Sequence, residues 1–259
     1  MAVTPLTGKT HIRYCRFLID GANLSGDMRT ISSFGLSSDQ ADATGWSNST
    51  RQWLNGWNTV LLDGLTAVFS NDAEAIGPVD QGSHTELAAL GDYNASVFIG
   101  IRAAPAIGNP TMSAVMTQNA YNVMGGGSDA VMVEASFMGA ATSELSSNIW
   151  GVCLADGTAL GASSSGGSVD NGASTAGGYI AFLHIPQTTG AIASNTWAFI
   201  IEHSANDSSW STLATFTLDG SAINSERLEA SGTVNRYVRF TYTRTAGTAR
   251  PWVSFIRKA

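Results

Sequence analysis

Apolar residues in this chain come in short runs, each closed by a cluster of Gly, Ser, Asn or Asp. Residues 179–185 (YIAFLHI), 197–201 (WAFII) and 237–242 (YVRFTY) are typical. Such runs, rich in β-branched and aromatic side chains and bounded by turn residues, read as strands. Few segments hold a helical period beyond two turns. The pattern predicts strands over 11–20, 31–36, 58–69, 95–102, 111–123, 129–138 and 148–155. A closely spaced series follows over 179–186, 196–203, 210–218, 222–229, 236–244 and 251–257. Turn signals at Asn206-Asp207, Asp219-Gly220, Ser231-Gly232 and Ala246-Gly247 make that series antiparallel if each connection is tight.

The breaks in the pattern carry information too. Residues 24–27 read as a turn. Gly64 interrupts an apolar run, as a bulge or kink does. Pro105 and Pro110 bar 104–110 from the interior of a sheet. Gly125-Gly126-Gly127 marks a hairpin turn or a loose loop, and Glu134 alternates against Val131, Val133 and Phe137, which predicts that it points outward. A short helix is predicted over 47–54, capped by Ser47 or Asn48 and ended by Gly56. One or two helical turns fit 85–90. Residues 1–9 form a polar arm, 71–83 a loop, and 161–178 a Gly/Ser-rich stretch of flexible-loop composition. The expected fold is all-β, an antiparallel β-sandwich or barrel with one or two short helices. The expected organisation is a β domain with an N-terminal arm over 1–145, then a second β-sandwich lobe or a continuation over 146–259.

Charge sharpens this picture. Charged residues make up only 13% of the 259, about half the usual share. A surface so poor in charge suits packing against copies of itself, or a secreted β protein. Net charge is −7, yet Arg236, Arg239, Arg244, Arg250, Arg257 and Lys258 fall in 231–259 with no acidic residue among them. An acidic body with a basic end can stack head to tail; alternatively, these cations simply solubilise exposed strand faces. The overall sign is wrong for tight phosphate binding to nucleic acid. Cys15 and Cys153 lie in apolar runs with no metal or disulfide spacing, so buried free thiols are expected. No apolar stretch reaches the ~18 residues of a membrane span. Residues 1–15 have no apolar core of a secretory signal. Synthesis in the cytoplasm without membrane association is the expectation.

Candidate chemistry is sparse. His11, His84, His184 and His203 have no ligand spacing, although His184 and His203 sit on neighbouring runs. Asp39/Asp42, Asp72/Glu74 and Glu226/Glu229 are the only close carboxylate pairs weighed for acid–base work. No nucleophile elbow or phosphate loop is present. The expectation is a protein without catalysis, cofactor or metal. Trp46, Trp53 and Trp57 cluster around the predicted helix, as core or subunit-interface anchors or as an exposed binding face. Trp210 is expected as a core plug at the start of a strand.

Two segments resemble a known family. In 17–71 a strand ends in Asp20-Gly21 and a turn follows at Leu24, Ser25, Gly26 and Asp27. Beyond these come Asp42 and Thr44, then Arg51, Leu54 and Gly56, then Gly64 and Phe69. In 201–243 stand Glu202-His203-Ser204, Asp207 and Trp210, and later Arg236-Tyr237-Val238-Arg239. Together they resemble the major tail (tail tube) proteins of long-tailed bacteriophages. The resemblance implies a β-sandwich subunit that forms hexameric rings stacked into a hollow tube in the virion tail. Its partners would be itself and other tail proteins, with DNA passing through the lumen without specific binding. Residues 1–10, 71–83 and 161–178 are then candidates for ring-to-ring contacts. Arg51, Trp46, Trp57, Arg236, Arg239 and Arg244 are candidates for the assembly interface. The C-terminal strand series also resembles discoidin-type or carbohydrate-binding sandwiches, on Trp210, Arg236, Tyr237 and Arg239. That resemblance implies a minor tail or decoration protein instead.

Overall fold

A computed structural model describes residues 12–44, 49–51, 53–71, 82–125, 130–140, 149–186, 188–189, 197–219 and 223–258. For 12, 38–41, 53–58 and 188–189 it describes the backbone only. After a 3-10 turn at Ile12–Tyr14 come β1 (Cys15–Ile19), β2 (Ala22–Asn23), β3 (Met28–Thr30), β4 (Ser33–Asp42) and β5 (Trp53–Val68). Helix α1 (Ser83–Leu87) leads to β6 (Asp92–Ile99), β7 (Pro110–Met124), β8 (Met132–Gly139) and β9 (Trp150–Asp156). Then follow β10 (Ser164–Ser165), β11 (Val169–Asp170), β12 (Tyr179–Ile185), β13 (Thr188–Thr189) and β14 (Trp197–Ser204). The last five are β15 (Ser211–Thr215), β16 (Asn224–Ala230), β17 (Tyr237–Arg244), β18 (Thr248–Ala249) and β19 (Trp252–Arg257). The fold is all-β and every strand pairing within the sheets is antiparallel.

One large sheet runs β16-β12-β19-β9-β7-β6-β1-β2, and from β7 it branches through β8 to β5, β4 and β3. The branch exists because β7 is long. Its start pairs with β9 over Pro110–Met112, and beyond Met116 the same edge pairs with β8. Pro110 opens that strand, a position where its missing N–H does no harm. The path β1-β6-β7-β8-β5-β3 curls into a nearly closed barrel. A second sheet, β15-β14-β17 with β10 and β11 along the far edge of β17, packs on the large one.

The burial pattern of the strands shows the layers. In β12 all seven residues are buried, and in β19 the first five are. A strand buried on both faces lies between two cores. On one side Tyr179, Ala181, Leu183, Val253 and Phe255 meet Phe199, Ile201, Val238 and Phe240 of the second sheet. On the other, Trp252, Ile256, Ile180 and Phe182 turn toward Leu18, Phe98 and Val115 of β1, β6 and β7. Those three strands send their opposite face into the barrel core, with Phe17, Ile19, Val97, Met112 and Met116 against Leu62, Leu65 and Phe137. The barrel core draws on residues 17–149 and the sandwich core on 154–255. Even so, the β7–β9 pairing carries the sheet across residues 145 and 146.

Several expectations change on contact with the structure. The helix predicted over 47–54 is not formed: 49–51 are non-helical and β5 begins at Trp53, paired Asp42↔Trp53 and Ala41↔Leu54. An eight-residue helix is marginal by itself, and ladder bonds to β4 satisfy this backbone instead. Gly64 does mark a bulge. It has φ +60, and the β5–β8 register shifts between Leu62 and Leu65. The turns expected over 85–90 appear as α1. The Gly/Ser-rich stretch does not hang free. Ser164–Ser165 and Val169–Asp170 pair with β17, and Thr175 bridges Val234.

Candidate functional site: assembly edges and buried seam

The β4–β5 ribbon stands out. β5 is 16 residues long, but β8 covers only Leu61 to Val68. The remaining half, from Trp53 to Val60, pairs with β4 alone among the described residues. β4 is ten residues long and its outer edge carries no ladder partner among the described residues. The strand has neither Lys nor Pro at this edge, although it carries Asp39 and Asp42 and a register shift between Ser38 and Gln40. Phe34 is half-buried under the ribbon's base, and Leu36 and Ser37 are exposed. A two-stranded ribbon is at best marginally stable alone, so its free half gains by pairing with another chain. The β7–β8 hairpin offers a second, apolar projection: Val123, Met124 and Val131 are all exposed near its tip.

The candidate residues divide between these surfaces and the interior. Arg51 is exposed next to the ribbon's end. Trp57 lies in β5, where the backbone only is described, and Trp46 is outside the described residues. Loop 72–81 and arm 1–10 are likewise outside them. Arg236 forms a two-pronged pair with Asp170, at 2.7 Å from Nε and 2.6 Å from the terminal nitrogen. Hydrogen bonding from Arg236 and from the Gly172 N–H brings the Asp170 carboxyl down to about 2. Arg239 donates to Glu202 at 2.7 Å, and Thr241 donates to the same oxygen. Arg244 donates to the Gly161 carbonyl and lies over Trp197. Arg250 reaches the Gly157 carbonyl, Arg257 those of Val234, Asn235 and Arg236, and Lys258 pairs with Glu229. All six cations of 231–259 therefore have acceptors within the chain. Trp210 is not a core plug: it is half-buried and the Arg239 guanidinium covers its ring at 4.2 Å.

The histidines part company. His184 and His203 lie on β12 and β14, in different sheets, and bond different groups. His203 Nδ1 accepts from the Asn235 N–H. His84 meets the Tyr121 hydroxyl at 2.6 Å and stacks on Phe69. His184 is fully buried between the β12–β19 layer and β6. Its Nδ1 accepts from the Gly21 N–H at 3.3 Å, which leaves the proton on Nε2 to be donated to Ser96 Oγ at 2.8 Å. Ser96 in turn meets Ser113 at 2.8 Å, and Thr111 meets Ser254 at 2.7 Å in the same layer. Burial lowers the imidazole to about 3, so it is neutral at physiological pH.

The Asp20-Gly21 turn locks this seam from outside. Both residues have positive φ, 42 and 90, as a two-residue hairpin turn between β1 and β2 requires. Asp20 Oδ1 accepts from the Asn94 N–H and from Ser225 Oγ of β16. A Cβ on Gly21 would sit 2.4 Å from the Asn224 carbonyl oxygen. The turn is thus a structural bolt between barrel and sandwich. Glu226 and Glu229 leave β16 on opposite faces, the first accepting from the Thr217 and Leu218 N–H groups, the second pairing with Arg227 and Lys258. They do not form a catalytic pair. Among the described residues no three His, Cys, Asp or Glu side chains converge as metal ligands, and no helix is long and apolar enough to cross a membrane.

Among the described residues, clefts open on the surface. One of about 180 Å³ lies between Trp150, Val169, Asn171, Val238 and Arg257, with Trp150 51% exposed at its mouth. A larger one, about 350 Å³, lies where the barrel fails to close. Sequence reasoning passed over its arginines, which share no motif; their concentration between residues 13 and 29 was the available signal. No family model matches the chain, and no curated protein matches it in sequence.

Proposed function

We propose that this chain is a structural subunit that assembles with copies of itself, the tail tube subunit of a long-tailed bacteriophage, and that it carries no catalysis. The observation that carries this reading is the β4–β5 ribbon. Eight residues of β5 and the outer edge of β4 project without a further strand among the described residues, and β4 has neither Lys nor Pro. Strand addition from a neighbouring copy completes such a sheet and closes a ring if the rotation between copies closes. The exposed Val123, Met124 and Val131 of the β7–β8 hairpin supply a second contact, between rings. The net charge of −7 suits a lumen past which DNA slides.

Negative-stain electron microscopy across protein concentration and salt tests the reading. Rings or hollow tubes of uniform width are expected. A persistent monomer would sink it and favour the second reading, a glycan-binding module of the virion. One observation favours that alternative: the exposed Trp150 ring at the mouth of a cleft that also holds Asn171. The Trp210 face does not serve it, because Arg239 occupies the ring.

A further inference from the structure

The barrel is open between β1 and β3. Both strands border the gap, and neither pairs with the other. The inner end is zipped: the Leu24 N–H donates to the Phe17 carbonyl at 3.0 Å, and the Phe17 N–H donates to Ser25 Oγ at 2.9 Å. Toward the outside the gap widens into the 350 Å³ cleft, within the range that holds small ligands. Its floor is apolar, made by Phe17, Met28, Ile31 and Val97. Its rim carries Arg13 and Arg16 on the β1 side and Arg29 on β3, and no carboxylate lines it among the described residues.

That rim is out of character for the molecule. The chain has 13 basic residues against 20 acidic ones, yet three arginines line this cleft, with Arg13 turned onto the Tyr14 ring and hydroxyl. Like Arg244, Arg250 and Arg257, Arg16 and Arg29 have no carboxylate partner among the described residues. Arg16 is held in place by two backbone carbonyls, those of Cys15 at 2.9 Å and Arg13 at 3.3 Å, and keeps further N–H donors for a ligand. Guanidinium groups brought together over an apolar floor repel one another until an anion sits between them, and their planar forks match carboxylate and phosphate. We propose that the barrel seam binds a small amphiphilic oxyanion, its carboxylate or phosphate head on Arg16 and Arg29 and its apolar tail over Phe17, Met28, Ile31 and Val97. This site is separate from the ribbon and does not depend on the assembly reading.

Cys15 lines the same cleft and reports on it directly. Octanoate and octyl phosphate serve as probes, with inorganic phosphate and octyltrimethylammonium as controls, in titration calorimetry and in alkylation of Cys15 on the full chain. Saturable binding of both octyl anions is expected, together with a severalfold slowing of Cys15 alkylation. Arg29→Gln and Arg16→Gln should each weaken binding roughly tenfold. Arg29 is exposed, so its variant keeps the fold and separates loss of the site from loss of structure. The proposal is overturned by an absence of saturable binding, by equal binding of the octyl cation, or by undiminished binding in the double variant. Inorganic phosphate binding as tightly as octyl phosphate would overturn the amphiphile.

Discussion

The Gly21 amide donates to His184 Nδ1 across 163 residues of sequence, joining the first hairpin of the barrel to strand β12 of the sandwich. The bond requires a neutral imidazole. A proton on Nδ1 would set two N–H groups against each other in a buried seam. Folding therefore lowers the imidazole from its ordinary 6.5 to about 3. Between these values the unfolded chain binds the extra proton, so stability is full above about pH 6.5 and falls as pH drops toward 3. Denaturant midpoints measured from pH 7 to pH 4 should decline. His184→Ala should flatten that decline and cost roughly 2–5 kcal/mol at pH 7, since it strands the Gly21 N–H and the Ser96 hydroxyl. An equally steep pH profile in the variant would remove His184 as its cause.

Gly21→Ala tests the bolt from the other side. The backbone there has φ +90 and Asn224 leaves no room for a Cβ. The expected loss is at least ~2 kcal/mol in urea unfolding, from strain together with separation of the turn from β16. A midpoint equal to wild type would show that the turn can leave β16 without cost.

The ribbon makes a prediction about assembly alone. Leu36→Lys places a charge beside the open edge of β4 while leaving every observed strand pair in place. Stability should stay within about 0.5 kcal/mol of wild type, and higher-order species should disappear from sedimentation profiles. Normal assembly by this variant would exclude the β4 edge as the contact.

Salt dependence separates two ways of stacking. Because Arg236, Arg239, Arg244, Arg250, Arg257 and Lys258 are engaged within the chain, assembly through strand edges should change little between low and moderate ionic strength. Dissociation at moderate salt would return the weight to charge pairing between subunits. Arg236→Gln, which removes a solvent-exposed pair, should leave the melting midpoint unchanged.

The thiols should differ in reactivity. Burial raises both, Cys15 partly offset by Arg16 beside it, and Cys153 far more. At pH 8 in native buffer a thiol reagent should label Cys15 slowly and Cys153 not at all, and both on denaturation. Rapid labelling of Cys153 would mean that its layer opens readily.

Much of the fold was legible along the chain, because strands announce themselves through alternation and bounding turns. The runs 179–186 and 251–257 were read as strands, and the bulge at Gly64 followed from one glycine in an apolar run. The layers were not legible. Nothing near Tyr179 says that β19 will lie beside it 73 or more residues later, or that both its faces will be covered. Over 47–54 the capping residues favour a helix locally, but pairing of Trp53 and Leu54 with β4, 11 and 13 residues earlier in sequence, overrides them. At the candidate site, Arg236 and Arg239 were visible as cations, but their carboxylates, Asp170 and Glu202, lie 66 and 37 residues away. The seam cleft is different: its walls, β1 and β3, lie close in sequence, but nothing in the pattern marks that they stay unpaired and leave a gap between them.

The position of β19 has a kinetic consequence. In the large sheet β9 and β12 join only through β19, which comes long after both in sequence. Until residues 252–257 insert, neither half of that layer has its neighbour, and the edges of β9 and β12 remain available to any passing strand. Closure must wait for a long chain loop to find its ends, which slows folding. Mispairing during this interval is the main hazard of the topology, and a chaperone that shields β12 would raise the yield of native protein more than it would speed any single step.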